Sequence, residues 1–230
     1  AEPNLRTGLA GGMLVPEDSI LYPPLVSRWL LASSPRIEVR RGAAASLRLD
    51  APVRILASGS QCELLPQLPI RRRKGHLVIT DRYPGLLNAE VVELGYLKSA
   101  HGAGSESVAC NVQPRATGQL LVGSSRQFDF ETPDVEPRMV ARMLNRAFEF
   151  IPALAGCKAI RIWTGFRAAT PDNLPYIGPW PEDRGLWVAM GHEGLGLTTA
   201  PGVAALLAAQ IMGRAPAIDP APYFPSRLFA

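Results

Sequence analysis

Cysteine is scarce in this chain: Cys62, Cys110 and Cys157 are the only three in 230 residues, and none falls in a CxxC or Cys/His spacing. That arithmetic argues against a disulfide framework and a structural zinc site, and it suits a reducing compartment. No apolar run approaches the ~18 residues that a bilayer requires, and no basic stretch followed by an apolar core opens the sequence. The expectation is a cytoplasmic chain with no metal site, secretion signal or transmembrane segment. Also missing is any strand followed by GxGxxG and a later acidic residue, the fingerprint with which a chain builds its own dinucleotide site. Neither an internal repeat nor a low-complexity linker is present.

Charge is sparse as well, at 19% of residues, and the balance of 24 − 20 = +4 comes mainly from arginine. The run Arg71, Arg72, Arg73, Lys74 reads as a solvated basic loop, with a patch for an acidic partner as the alternative. It has no interleaved aromatics and belongs to no nucleic-acid module, so nucleic acid is not an expected partner.

What the sequence does contain is 47% hydrophobic residues, enough for a substantial core in one large domain or two small ones. Pro23 and Pro24 precede Leu25, Val26, Trp29 and Leu30 at helical spacing, which predicts a helix to about Ala32. Strands are expected over 53–57, 75–80, 90–97 and 107–112, the last with Val108, Cys110 and Val112 on one face. A turn at 114–118 followed by apolar 119–122 predicts a β-hairpin. From Pro137 the period changes to that of a helix, with Met139, Val140, Met143, Leu144, Ala147 and Phe148 on one stripe. A strand over 159–163, a loop at 171–175 and a strand over 186–190 follow. The last helix is expected to begin at Pro201 and to stop near Gly213. Several consecutive strands with few helices between them predict an α+β fold: a mixed, mostly antiparallel sheet with flanking helices and one strand-loop-helix unit at the end.

That terminal unit is the first candidate site. Gly191, Gly194 and Gly196 would let backbone approach a ligand closely, and the helix behind them offers free N–H groups. Tight strand-to-helix turns also use glycine, so the loop alone decides little. Support comes from a second stretch, in which Trp163, Gly165, Arg167, Thr170, Asp172, Pro175, Ile177 and Gly178 fit the pattern W-x-G-x-R-P-x-T-x-D-x-x-P-x-I-G. Together with residues 119–126 and the Gly191, His192 and Gly196 of the terminal loop, it resembles the C-terminal part of the D-amino-acid oxidase and glycine oxidase group of FAD-dependent oxidoreductases. The segment 2–6 with Gly11 and Gly12, and the segment 73–76, also look like the substrate-domain portion of that group, especially its dehydrogenase-like bacterial members.

The resemblance implies a division of the chain. Residues 1–180 would be substrate-domain-like with remnants of the FAD domain, and residues 181–230 would supply the strand, loop and helix that complete an FAD-binding domain. FAD is the implied cofactor, met by Gly165, Gly191, His192, Gly194, Leu195, Gly196, Leu197 and Thr198. Arg167 takes the position at which the group holds a substrate carboxylate, with a structural pairing to Asp172 or to a carbonyl as the alternative. Where glycine oxidases carry a further arginine in the terminal loop, this chain has Glu193 and Gly194. The implied activity is oxidation of a C–N bond of an amino acid or amine to an imine; alignment with the flavin suffices for that, so no acid–base pair is expected.

Because the chain opens where the group has already passed its dinucleotide fingerprint, it is expected to be incomplete as an enzyme. A second chain supplying the dinucleotide-binding unit, or self-association, would then complete it. The rival expectation is a noncatalytic subunit or remnant that serves as a partner-binding module. In either case Leu186, Val188, Leu206, Leu207 and Ile211 are expected to be only partly covered.

Overall fold

The computed structural model describes residues 2–43, 45–96 and 105–229. The chain divides into two compact units, one of Ala1–Leu21 with Arg73–Phe166 and one of Tyr22–Arg72 with Arg167–Ala230. These boundaries follow packing and fall elsewhere than residue 180, where the family resemblance divides the chain.

In the first unit, Pro137 opens helix α2 (Pro137–Phe150), where its missing N–H leaves no bond unmade. The helix buries Met139, Val140, Met143 and Ala147, the stripe that its sequence period predicts. The strands β2 (Arg71–Arg82), β3 (Val91–Val92), β4 (Glu106–Pro114), β5 (Gln119–Gln127) and β6 (Ala159–Ala169) form one sheet in the order β3-β4-β5-β2-β6. β4 and β5 are the expected antiparallel hairpin, with Gly118 at φ 83 in the turn. Val78, Cys110, Val112, Leu120 and Val122 pack with Val140, Met143 and Ala147 in one core cluster. Each of the Val, Leu and Met side chains among them contributes ~1.5–3 kcal/mol. β3 is shorter than the strand expected over 90–97, because the chain turns at Glu93–Tyr96; Leu97 lies outside the described residues.

The basic run is not a solvated loop. It opens β2, and Arg73 and Lys74 are only 3% and 1% exposed. Buried charge requires partners, and Lys74 Nζ donates to Glu136 Oε1 at 2.9 Å. Gln127 Nε2 donates to the other Glu136 oxygen at 3.0 Å. The Glu136 backbone N–H donates to His76 Nε2 at 3.1 Å, so the neutral ring carries its proton on Nδ1, 3.0 Å from Ser125 Oγ.

This network titrates. Burial lowers the pKa of His76 from its ordinary 6.5, the Lys74 charge adds to the lowering, and Glu136 opposes it in part. Burial alone would raise Glu136, but hydrogen bonds from Gln127 and Lys74 outweigh it and bring the carboxyl below its ordinary 4.5. Both groups bind fewer protons folded than unfolded, so their stabilisation is present at high pH and lost on acidification. The His76 part starts to go below 6.5 and the Glu136 part below 4.5. The thermal midpoint, followed by circular dichroism, should therefore fall in two stages from neutral pH downward; a profile that stays flat through both stages would contradict a buried neutral imidazole.

The second unit contains α1 (Pro23–Ala32), β1 (Arg54–Leu56), β7 (Tyr176–Trp180), β8 (Asp183–Met190) and α3 (Gly196–Ile211). The order of its sheet is β1-β8-β7, with β1 parallel and β7 antiparallel to β8. Arg54 pins the parallel pair by donating from Nη2 to Asp183 Oδ1 at 2.7 Å. β7 interrupts its apolar residues with Gly178 and Pro179, and an edge position tolerates such a proline. A Cβ on Gly178 would lie 2.7 Å from Phe224, so that strand and the C-terminal segment fit only around glycine.

Helix α3 begins at Gly196 rather than at Pro201, which is accommodated inside it at the loss of one hydrogen bond. It ends as expected: Gly213 has φ 64, its N–H donates to Gln210 O, and the Arg214 N–H donates to Ala209 O, a Schellman motif. Leu206 and Leu207 pack with Ile177. The expectation of uncovered residues is corrected here, since Leu186, Val188, Leu206 and Leu207 are all buried and only Ile211 is intermediate. Apolar residues that are exposed in this region include Val53 just before β1, Ile55 on it, and Leu195, Leu197 and Met212 around α3. Glu193–Ile211 is, by length and composition alone, apolar enough to cross a membrane, contrary to the sequence reading. Within this unit only Leu206 and Leu207 of the helix are buried, so most of its apolar length is left uncovered by the described residues.

Candidate active site

β8 delivers the chain to the glycine segment at Met190. Gly191 has φ 85, and a Cβ there would lie 2.4 Å from Thr170 Cγ2. Only glycine meets both conditions. The other two glycines are not demanded in this way: a Cβ on Gly194 would come 3.9 Å from Arg167 Nε, and one on Gly196 3.5 Å from His192 Cβ, both ordinary contacts. Glu193 starts a short 3-10 turn, Glu193–Leu195, with φ 46, an uncommon value for a residue with a side chain. Gly196, Leu197 and Thr198 form the first turn of α3 rather than a loop, because the helix starts before Pro201.

Arg167, near the end of β6, lies against this segment. Its Nε is 3.9 Å from Glu193 Oε1, close enough for attraction between charges and too far for a hydrogen bond. Asp172, weighed as its partner from sequence, is engaged elsewhere: Arg227 Nε donates to Asp172 Oδ2 at 2.7 Å and Nη2 to Oδ1 at 3.3 Å. The Arg227 hydrogen bonds hold the Asp172 carboxyl below its usual range against the opposing effect of burial. Arg227 also donates to Leu174 O at 2.7 Å and stacks 4.0 Å from the Tyr176 ring centroid, so it ties the 171–175 loop to β7. Sequence reasoning missed Arg227, a single arginine in a short C-terminal tail. It also missed Glu193 as the neighbour of Arg167, because only the fold brings together residues 167 and 193.

On the other flank of the glycine segment lies a cleft of about 760 Å³ between β1 and α3. Val53, Ile55, Ala57 and Gly59 line one wall; Gly196, Ala200, Val203, Ala204 and Leu207 line the other, and His192 stands at the end. Burial lowers the pKa of His192, so the ring is neutral at pH 7, and its buried Nε2 has no hydrogen-bond partner among the described residues. Small apolar walls with one orphaned imidazole nitrogen fit the edge of a flat, largely apolar ring that carries a few polar atoms. They provide no cradle for a pyrophosphate. Gly165 lies exposed on β6 in the first unit, with open space where a Cβ would stand. The structure therefore brings together Arg167 and residues 191–198. Among the described residues no cluster of His, Cys, Asp and Glu could hold a metal ion.

Strand β8, the obligatory glycine turn at Gly191 and helix α3 thus stand together beside Arg167. The family model described as FAD dependent oxidoreductase matches residues 1–210, and the chain belongs to that family. It is 42% identical over 116 residues to glycine oxidase of Pseudomonas aeruginosa, covering 49% of this chain and 31% of that protein. It is 44% identical over 108 residues to D-amino acid dehydrogenase 2 of Ralstonia nicotianae, covering 45% of this chain and 23% of that protein. The crystal structure of glycine oxidase from Geobacillus kaustophilus superposes with a TM-score of 0.63 at 28% identity, covering 74% of this chain and 44% of that one. The chain thus spans less than half the length of these relatives.

Proposed function

We propose that this chain supplies the substrate-binding and C-terminal part of an FAD-dependent oxidoreductase that oxidises a C–N bond of an amino acid or amine to an imine. Arg167 holds the substrate carboxylate; its planar fork can bind both oxygens and so orient the carbon to be oxidised. Gly191, His192, Gly194, Leu195, Gly196, Leu197 and Thr198 face the cofactor, with His192 Nε2 as a polar contact, whereas Gly165, in the other unit, is left out of this reading. FAD, when bound, supplies the electron acceptor, and the rest of its binding site comes from a dinucleotide-binding unit elsewhere in the protein or in a second chain. The location proposed is cytoplasmic, consistent with the free thiols of Cys62, Cys110 and Cys157.

The observation that carries this reading is the placement of Arg167 against the glycine segment while Asp172 is taken by Arg227. A second reading, a noncatalytic partner-binding module, draws on the exposed Val53 and Ile55 beside the apolar cleft. The visible absorption spectrum of the chain purified together with the segment or second chain that carries the dinucleotide-binding unit, with and without added FAD, decides between them. Flavin bands that stay with the protein through gel filtration support the oxidoreductase; a protein that remains colourless with FAD supports the module.

A further inference from the structure

Arg227 does more than pair with Asp172. Each of its three side-chain nitrogens donates: Nε to Asp172 Oδ2 at 2.7 Å, Nη2 to Leu174 O at 2.7 Å, and Nη1 to Tyr223 O at 3.1 Å and to Pro175 O and Phe224 O at 3.3 Å. A planar guanidinium can serve several acceptors at once in this way. These bonds join the C-terminal segment to the loop 171–175, whose residues 171–174 are exposed and gain little from packing. Within the loop, the Leu174 N–H donates to Asp172 Oδ1 at 3.1 Å, and Asn173 has φ 60. The segment that carries Arg227 is itself seated on β7, with Phe224 against the open side of Gly178.

The ends of the same loop form the floor beneath the glycine turn. A Cβ on Gly191 would meet Thr170 Cγ2 at 2.4 Å, Tyr176 Cδ2 at 3.6 Å and Pro175 Cα at 3.7 Å. Arg227 grips that floor through Asp172, Leu174 and Pro175, and its guanidinium lies 4.0 Å from the Tyr176 ring centroid. We propose that Arg227 is a positioning residue for the glycine turn: by fixing the loop 171–175 it sets where Gly191 lies and how His192 is covered and presented to the cleft. Its meaning for the flavin rests on the reading of residues 191–198 as cofactor-facing. A site that must hold one nitrogen in place needs such support behind it.

The chain has only three histidines, so their imidazole signals can be followed by NMR, with His192→Gln to assign that of His192. Burial alone lowers the pKa of His192, which makes its titration a gauge of how well the turn is seated. The Arg227 hydrogen bonds keep Asp172 below its ordinary 3.8, so the latch stays closed throughout the range in which an imidazole titrates. Arg227→Gln should move the His192 midpoint up towards its ordinary value by on the order of half a pH unit, as rehydration of the ring requires. His76, in the other unit, should keep its own midpoint. Asp172→Asn breaks the same latch from the loop side and should move His192 in the same direction. The double variant should go no further than the larger single one, because both remove one interaction. Should Arg227→Gln not fold, Asp172→Asn, an isosteric change on an exposed loop, decides alone. An unchanged His192 midpoint, an equal shift of His76, or additive shifts in the double variant would overturn the proposal. FAD affinity of the chain purified together with the dinucleotide-binding unit separates the two levels. A loss of about tenfold in Arg227→Gln supports both, since small misplacements at a site cost that much or more. If His192 moves while FAD affinity stays the same, the turn is positioned as proposed and the cofactor-facing reading fails. If the wild type binds FAD and Arg227→Gln leaves both His192 and affinity unchanged, that reading stands and the proposal fails.

Discussion

Replacing Glu136 by alanine is expected to cost about 3–5 kcal/mol, because it leaves a buried ammonium without its counter-charge. Lys74 is only 1% exposed and cannot turn out to water without leaving β2. It lies 5.5 Å from the Phe130 ring centroid, which supplies some attraction but no hydrogen bond. Loss of the Glu136 carboxylate also removes an acceptor for Gln127. The penalty belongs to the orphaned charge rather than to the pair itself, so the double variant Lys74→Met with Glu136→Ala should recover most of it. Urea denaturation of the single and double variants measures both quantities. A single variant within ~0.5 kcal/mol of wild type, the usual effect of a surface substitution, would show that Lys74 finds water or another partner.

The second large effect is expected at Gly191. Alanine there must adopt φ 85 and place its methyl carbon 2.4 Å from Thr170 Cγ2. The backbone strain and the overlap together should destabilise by ~2–4 kcal/mol. Thr170 is 7% exposed and has little room to move aside. Combining Gly191→Ala with Thr170→Ser, which removes the offending methyl, should recover the steric part and leave the strain. Gly194→Ala is the control: its Cβ makes an ordinary 3.9 Å contact, so stability should stay near that of wild type. Thermal midpoints of the four proteins suffice, and equal losses at 191 and 194 would refute the distinction between them.

Elements whose signals are local were legible in the sequence. The stripe on α2, the β4–β5 hairpin, the proline that opens α1 and the glycine that closes α3 each depend on residues a few positions apart. β7 was missed because Gly178 and Pro179 hide its strand character, and the early start of α3 because Pro201 resembles a first-turn proline. Burial of Lys74 could not be foreseen from four basic residues in a row, since its partner Glu136 is 62 positions away. The same limit applies to the site. The motif singled out Arg167 and the glycine segment, but whether Asp172 or Glu193 stands beside Arg167 depends on Arg227, far along the chain. Leu186 and Val188 were expected to be uncovered because the family arrangement packs further chain on this region. In fact, residues of the same unit, including Leu56, Leu65, Leu68 and Tyr176, already cover them.

The parallel pairing of β1 with β8 also bears on the order of folding. Its anchor joins Arg54 to Asp183 across 129 residues, whereas β4 and β5 are joined by the tight turn 115–118. Closing the longer loop costs more chain entropy before any contact compensates for it, so the hairpin is expected to form early and the β1–β8 pair late. On a ribosome, β1 must wait for the 129 residues that separate Arg54 from Asp183 before its partner strand exists. Until then the glycine segment that follows β8 has no scaffold, and Arg167 and Glu193 cannot yet meet. Pulse-labelled hydrogen exchange would read that order as early protection in β4 and β5 and late protection in β8.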